Sequence, residues 1–196
     1  GHLRHRVGHA RAGDDEAIAD QHDHAAVADR RHARQRLPRR IGRRAQIDAE
    51  QRGFDSVWVT EFFNQHGFVR LAALAIATSR VKLGTAIAYA FMRTPLLASA
   101  AAMDIDELSN GRMILGLGSG TRSMNERWYS MPFNDPPAPR MREAVKLVRA
   151  AIAAQTGGGL RFDGDYYHIN IPQYARPGAP RKEIPVYIAA VNRGMI

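Results

Sequence analysis

The sequence predicts an α/β fold with a parallel sheet, and three observations carry the prediction. Short runs rich in Val, Ile, Leu and aromatic residues occur at 55–60, 81–88, 112–118 and 184–191. Runs that are apolar on both faces suit a sheet covered on both sides. Between them lie longer segments whose apolar residues recur at helical spacing. The order is strand, helix, strand, helix, strand, helix, strand, which reads as right-handed βαβ units. Two architectures fit it: an open doubly wound sheet and a (β/α)8 barrel. In both, chemistry gathers at the C-terminal ends of the strands. That rim holds Thr60 and Glu61, Ala86 to Ala88, Gly118 to Thr121, and Ala190 to Asn192.

Each element has its own justification. "DSVWVT" (55–60) is β-branched and aromatic and follows Gly53, so it reads as the first strand. In "GFVRLAALAIATSR" (67–80), Phe68, Leu71, Leu74 or Ala75, and Thr78 share one helical face. "VKLGTAIA" (81–88) is the second strand. "TPLLASAAAMDIDELSNG" (94–111) carries Thr94 as N-cap, Pro95 at the first helical position and Asn110-Gly111 as its stop. "RMILGLG" (112–118) is the third strand. Over 138–159, Met141, Val145, Val148 and Ile152 line one helical face and Arg142, Lys146 and Arg149 the other, and three glycines end the helix. "RFDGDYYHI" (161–169) reads as a hairpin turning at Asp163-Gly164. "IPVYIAAV" (184–191) is the fourth strand, with Pro185 tolerated at its start.

Composition bounds what such a chain does. Its 196 residues, 45% of them hydrophobic, suffice for one domain with a real core. No apolar run reaches the roughly 18 residues of a membrane span, and the N-terminus has no apolar stretch of signal-peptide type. A cytoplasmic address is the default expectation. Without cysteine, disulfides and thiolate metal sites are excluded. No His, Asp and Glu share metal-ligand spacing, so no metal is expected. The net charge of +9 raises a nucleic-acid hypothesis, but residues 1–44 alone hold eleven Arg against six acids. That segment has no Phe, Tyr, Trp or Lys and no sustained apolar period. It is expected to be disordered or foreign to the fold, as an out-of-frame reading of a GC-rich gene would be. The domain expectation is therefore a low-complexity Arg/His-rich segment at 1–44 and a folded domain at 45–196. Nucleic-acid binding through the tail is an alternative, and it predicts salt-sensitive binding lost on deleting 1–44.

"ILGLGSGT" (114–121) places three alternate glycines at the end of a strand. A dinucleotide fingerprint needs G-x-G-x-x-G leading into a helix. Here Gly116, Gly118 and Gly120 give G-x-G-x-G, and "RSMNERWYSMPF" is no clean amphipathic helix. No Walker lysine follows. The serine sits one place too late for a nucleophile elbow. What remains is close approach of a ligand or a neighbouring strand to bare backbone.

The stretches "GFDSVWVTEFFNQ", "AALAIATSRVKLGTAIAYAFMRTPLLASAAAMDIDELSNGRMILGLGSGT", "FDGDYYHI" and "IPVYIAA" together resemble the bacterial-luciferase-like family of flavin-dependent oxidoreductases. That family includes flavin monooxygenases and deazaflavin-dependent reductases. The resemblance runs from about residue 45 to the end. It implies a (β/α)8 TIM barrel of luciferase-like type, of which this chain holds family strands two to five. It also implies FMN or a deazaflavin (coenzyme F420) across the strand C-termini and a small-molecule substrate. Cofactor contacts fall on Glu61, Ala86, Ile87, Gly118, Ser119, Gly120 and Thr121, with a non-prolyl cis peptide near Ala86-Ile87. Gly118 and Gly120 would give the flavin clearance, and Ser119 and Thr121 would be its hydroxyl partners. Phe62, Phe63 and Asn64 would border the substrate.

Two departures weaken a proton-transfer mechanism. Phe62 and Phe63 stand where many members carry His, and Thr121 stands where deazaflavin dehydrogenases tend to have Glu. No catalytic residue is assigned. A barrel of this kind takes about 250 residues, so the reading is of a partial barrel with open sheet edges that favour self-association. A non-catalytic, self-associating fragment is the other alternative. The plain readings of single residues are a networked rim carboxylate for Glu61, a solvated His66, a surface His168, and a surface loop packed down by Trp128 and Tyr129.

Overall fold

The structure is a computed structural model that describes residues 43–176 and 181–191. The Arg/His-rich segment up to residue 42 and the rim residue Asn192 lie outside the described residues. Helix α1 (Arg43–Gln51) leads into β1 (Ser56–Val59), α2 (Gly67–Ala77), β2 (Lys82–Thr85) and β3 (Ala88–Tyr89). Then come α3 (Pro95–Leu108), β4 (Met113–Gly118), α4 (Pro137–Ala153), β5 (Leu160–Asp163), β6 (His168–Ile171) and β7 (Val186–Ile188). β1 pairs with β2, β2 and β3 both pair with β4, and β7 takes the far side of β4, all in parallel.

The helix signals hold where the chemistry demanded them. The Thr94 hydroxyl accepts from the Leu97 amide at 3.2 Å and Pro95 opens α3. Phe68, Leu71, Leu74 and Ala75 are buried on α2 with Thr78 at its C-cap, and Met141, Val145, Val148 and Ile152 on α4. These faces close on Val57, Val59, Leu83, Met113, Leu115 and Leu117 of the sheet. Full burial of each such Leu or Val contributes about 1.5–3 kcal/mol. At the other end of the strands Arg112 donates to the carbonyls of Ala75, Thr78, Val81 and Ser109, closing the C-terminus of α2 against β4.

Four expectations change. Strand β1 is apolar on both faces but covered on one: Val57 and Val59 are buried, whereas Trp58 is 38% exposed and meets the Tyr187 ring at 5.6 Å. The strand expected over 81–88 is broken into β2 and β3. Between the pairs Gly84↔Ile114 and Ala88↔Leu117 its line advances four residues while β4 advances three, which is a one-residue bulge. The last helix ends at Ala153 and tightens into a 3₁₀ turn at Ala154–Thr156. The hairpin has a four-residue loop, Gly164 to Tyr167, in place of a turn at Asp163-Gly164. The Glu143 carboxylate of α4 draws the amides of Asp165, Tyr166 and Tyr167 to itself at 2.7–3.0 Å, and that docking sets the longer loop.

Candidate active site at the strand ends

The bulge explains two of the three alternate glycines. Alternate residues of β4 face opposite neighbours, so the amide and carbonyl of Gly116 point toward the interrupted β2–β3 line. There the Thr85 hydroxyl replaces the missing ladder bonds, accepting from Gly116 N at 2.9 Å and donating to Gly116 O at 2.7 Å. A Cβ at residue 116 would overlap the Thr85 carbonyl oxygen, and one at 118 would overlap the Ile87 side chain. Gly116 thus admits the bulge backbone, and the clearance expected at Gly118 is taken up by Ile87. The Ala86–Ile87 peptide is cis, at the position the family resemblance implied.

Three strand ends meet here. After β1, Glu61 is buried, and Phe62 to Gln65 form a tight turn closed by reciprocal backbone bonds of 2.9 and 3.0 Å. Both Glu61 oxygens are engaged: Arg93 donates Nη2 to Oε1 at 2.6 Å and Nη1 to Oε2 at 2.8 Å, and the Tyr89 amide donates to Oε2 at 3.0 Å. His66 Nδ1 lies 3.9 Å from Oε1. Arg93 also covers the Phe68 ring at 5.1 Å. Glu61 therefore welds the end of β1 to the segment after β3.

After β4, residues Ser119 to Thr121 lead into a single π-helical turn, Met124–Trp128. The Ser119 hydroxyl donates to Gly120 O at 3.0 Å, and the Thr121 hydroxyl accepts from Met124 N at 3.2 Å. The turn carries Trp128 against Phe62 and Phe63 at centroid distances of 5.1 and 5.5 Å, both edge-on. All three rings are 40–61% exposed. Tyr89 and Tyr129 pack at 5.7 Å. Burial pushes both phenols above their usual range, and the Glu61 charge adds to it, so both remain neutral at physiological pH.

The structure thus places Glu61, Ile87, Gly118, Ser119, Gly120 and Thr121 around one rim, with Ala86, Phe62, Phe63 and Asn64 exposed on it. Trp128 joins the two phenylalanines. Sequence reasoning missed Arg93, whose position just before a helix cap gives no sign that it neutralises a carboxylate 32 residues away. The Asn125 side chain, in the turn after β4, is wholly buried. His168 is exposed and pairs with Asp163 at 2.7 Å, away from the rim. Among the described residues no three His, Asp or Glu side chains form a metal-binding group, and no helix is long and apolar enough to cross a membrane.

A parallel α/β sheet with a bulged strand and a glycine-rich strand end has relatives among known proteins. The sequence model of the luciferase-like monooxygenase family matches residues 25–196, and the chain belongs to that family. An uncharacterized protein of Mycobacterium tuberculosis is 38% identical over 164 residues, 81% of this chain and 48% of that protein. The F420-dependent glucose-6-phosphate dehydrogenase of Amycolatopsis mediterranei is 37% identical over 158 residues, 74% of this chain and 45% of that enzyme. The oxygenating constituent of 3,6-diketocamphane monooxygenase from Pseudomonas putida, solved with FMN, superposes with a TM-score of 0.64. That match is 15% identical, covers 75% of this chain and 44% of that one, and speaks to the fold alone. The chain spans about half the length of the curated relatives it matches. Its fold is part of the (β/α)8 barrel of luciferase-like enzymes.

Proposed function

We propose that the chain forms the cofactor-facing part of an oxidoreductase using coenzyme F420 or FMN, and that the rim of residues 61–64, 86–87 and 118–121 receives the ring system. The observation that carries the reading is the rim itself: the bulge between β2 and β3, where Thr85 bonds Gly116, stands beside a glycine-rich strand end with hydroxyls at Ser119 and Thr121. Family membership and the F420-dependent relative support it.

The residues present fit a flat ring with a polar edge. Ile87 offers an apolar face that is half-buried, and Phe62, Phe63 and Trp128 form an apolar wall. Ser119 and Thr121 supply hydroxyls at the polar margin. When bound, such a cofactor supplies the hydride or oxygen chemistry, and the protein supplies orientation and a dry surface. In this reading Glu61 and Arg93 neutralise each other and hold two strand ends in register. Phe62 and Phe63 cannot exchange protons, and the phenols of Tyr89 and Tyr129, whose rings pack at 5.7 Å, are held neutral. The substrate is a small molecule bordered by Phe62, Phe63 and Asn64. All these residues lie within 45–196, which we take as the functional module.

Titration of the purified chain with F420 and, separately, with FMN, followed by cofactor fluorescence, tests the reading. Saturable binding of one cofactor is expected, with a dissociation constant on the order of micromolar. Lack of binding by both overturns the assignment to this chain.

A further inference from the structure

The face of the sheet turned away from the helices carries two exposed aromatic rings. Residues paired across neighbouring strands share a face, which puts Trp58, Gly84 and Ile114 on this side, and Gly116 with Tyr187 beside them. Trp58 lies over Gly84, where a Cβ would overlap its ring, and reaches the Tyr187 ring at 5.6 Å with the planes 30° apart. The two rings so bridge from β1 to β7, yet remain 38% and 55% exposed. Lys82, at the start of β2, is the one charged residue in the five strands of this sheet. A face this apolar is suited to being covered.

The two edges of the sheet have a definite phase. Ala86 N donates to Val59 O and Lys82 N to Asp55 O, so Asp55, Val57 and Val59 turn their backbone groups toward β2, and Ser56 and Trp58 turn theirs outward. At the opposite edge Leu115 N donates to Pro185 O and Ala189 N to Leu117 O, which leaves Val186 and Ile188 turned outward. Among the described residues no strand takes up either row. Such rows are templates for pairing with another chain.

The strands are all parallel and make four lines: β1, β2 continued by β3, β4, and β7. A (β/α)8 barrel has eight. Turning a copy by half a revolution about an axis along the strands leaves every strand direction unchanged. It sets β7 of each copy beside β1 of the other and brings the two Trp58–Tyr187 pairs face to face, and the assembly closes at two. We infer that the inner face is covered by a second copy of this chain, the two half-sheets closing one eight-stranded barrel through parallel β1–β7 seams. This pairing stands apart from the cofactor reading and does not depend on it.

Sedimentation equilibrium of the full chain over a range of concentrations tests it, in salt high enough to screen the net charge of +9. Twice the chain mass of 21.8 kDa is expected and no larger species, with a dissociation constant on the order of micromolar. Tyr187→Lys is expected to weaken the dimer at least about thirtyfold, as loss of a central interface aromatic does. Val69→Lys, on the exposed side of α2, is expected to leave it unchanged. Hydrogen exchange at the Ser56, Trp58, Val186 and Ile188 amides is expected to slow about tenfold as the wild type passes from monomer to dimer. A monomer at every concentration overturns the proposal. So does a dimer that survives Tyr187→Lys, a dimer dissolved by Val69→Lys, or an open series of larger species. If Tyr187→Lys does not fold, wild-type exchange decides: a dimer with those four amides unslowed overturns the seams.

Discussion

Replacing Thr85 by valine removes one oxygen atom and leaves the shape of the side chain nearly unchanged. Thr85 is 1% exposed and its hydroxyl is both donor and acceptor for Gly116, at 2.7 and 2.9 Å. In Thr85→Val the buried Gly116 N–H and C=O lose the hydroxyl that serves them both. A buried polar group left unsatisfied costs about 1–3 kcal/mol, so two of them predict about 2–6 kcal/mol. For a chain of this size that lowers Tm by about 4–24 °C. Thr85→Ser keeps the hydroxyl and loses only a buried methyl, about 1 kcal/mol. Urea unfolding followed by far-ultraviolet circular dichroism measures both. A Thr85→Val protein within about 0.5 kcal/mol of the wild type, or less stable by no more than Thr85→Ser, would refute the hydroxyl's role as the substitute for the β2–β4 ladder.

Three other outcomes are expected. Arg93→Met leaves the Glu61 carboxylate buried without its cation and is expected to destabilise the fold by about 3 kcal/mol, whereas Glu61→Gln with Arg93→Met recovers part of the loss; equal urea midpoints for single and double variants would contradict the pairing. Glu50 accepts the amides of Ser79, Arg80 and Val81, and although burial alone raises its pKa, these bonds lower it from 4.5 to about 2. Because the folded value is the lower one, this stability is present above pH 4.5 and is lost as pH falls toward 2; after solvent screening it is worth about 1–2 kcal/mol, so the gap between wild type and Glu50→Gln in urea midpoint should close between pH 5 and pH 2, and a constant gap would refute it. Gly164→Ala places a methyl against the Glu143 carboxylate, and hydrogen exchange at Asp165, Tyr166 and Tyr167 is expected to quicken by about tenfold; unchanged exchange would show that Glu143 does not hold the hairpin.

Much of the frame was legible because it follows from periodicity and caps. Thr94, Pro95 and Asn110-Gly111 mark α3 by local chemistry alone, and the buried faces of α2 and α4 follow from spacing. The break in the strand at 86–87 was not legible from the pattern. "VKLGTAIA" reads as one continuous strand, and the bulge shows only in its pairing with β4, where Thr85 meets Gly116, 31 residues away. Only the resemblance to a family placed a cis bond there. The hairpin loop was misjudged for the same reason, since Asp-Gly signals a tight turn locally while Glu143 captures three loop amides from a distant helix. At the site, the rim positions followed from the βαβ rule, which needs only strand ends. The pairing of Glu61 with Arg93 and the burial of Asn125 did not, because a polar residue in an irregular segment carries no periodic signal.

The central claim is that this rim receives a flavin-type ring. The most direct measurement is a crystal structure of the chain soaked with F420 or FMN. The account predicts ring density against Ile87, with polar contacts to Ser119–Thr121 and with Phe62, Phe63 and Trp128 at its side. A cofactor bound elsewhere, with Ile87 and the glycine loop untouched, would contradict it.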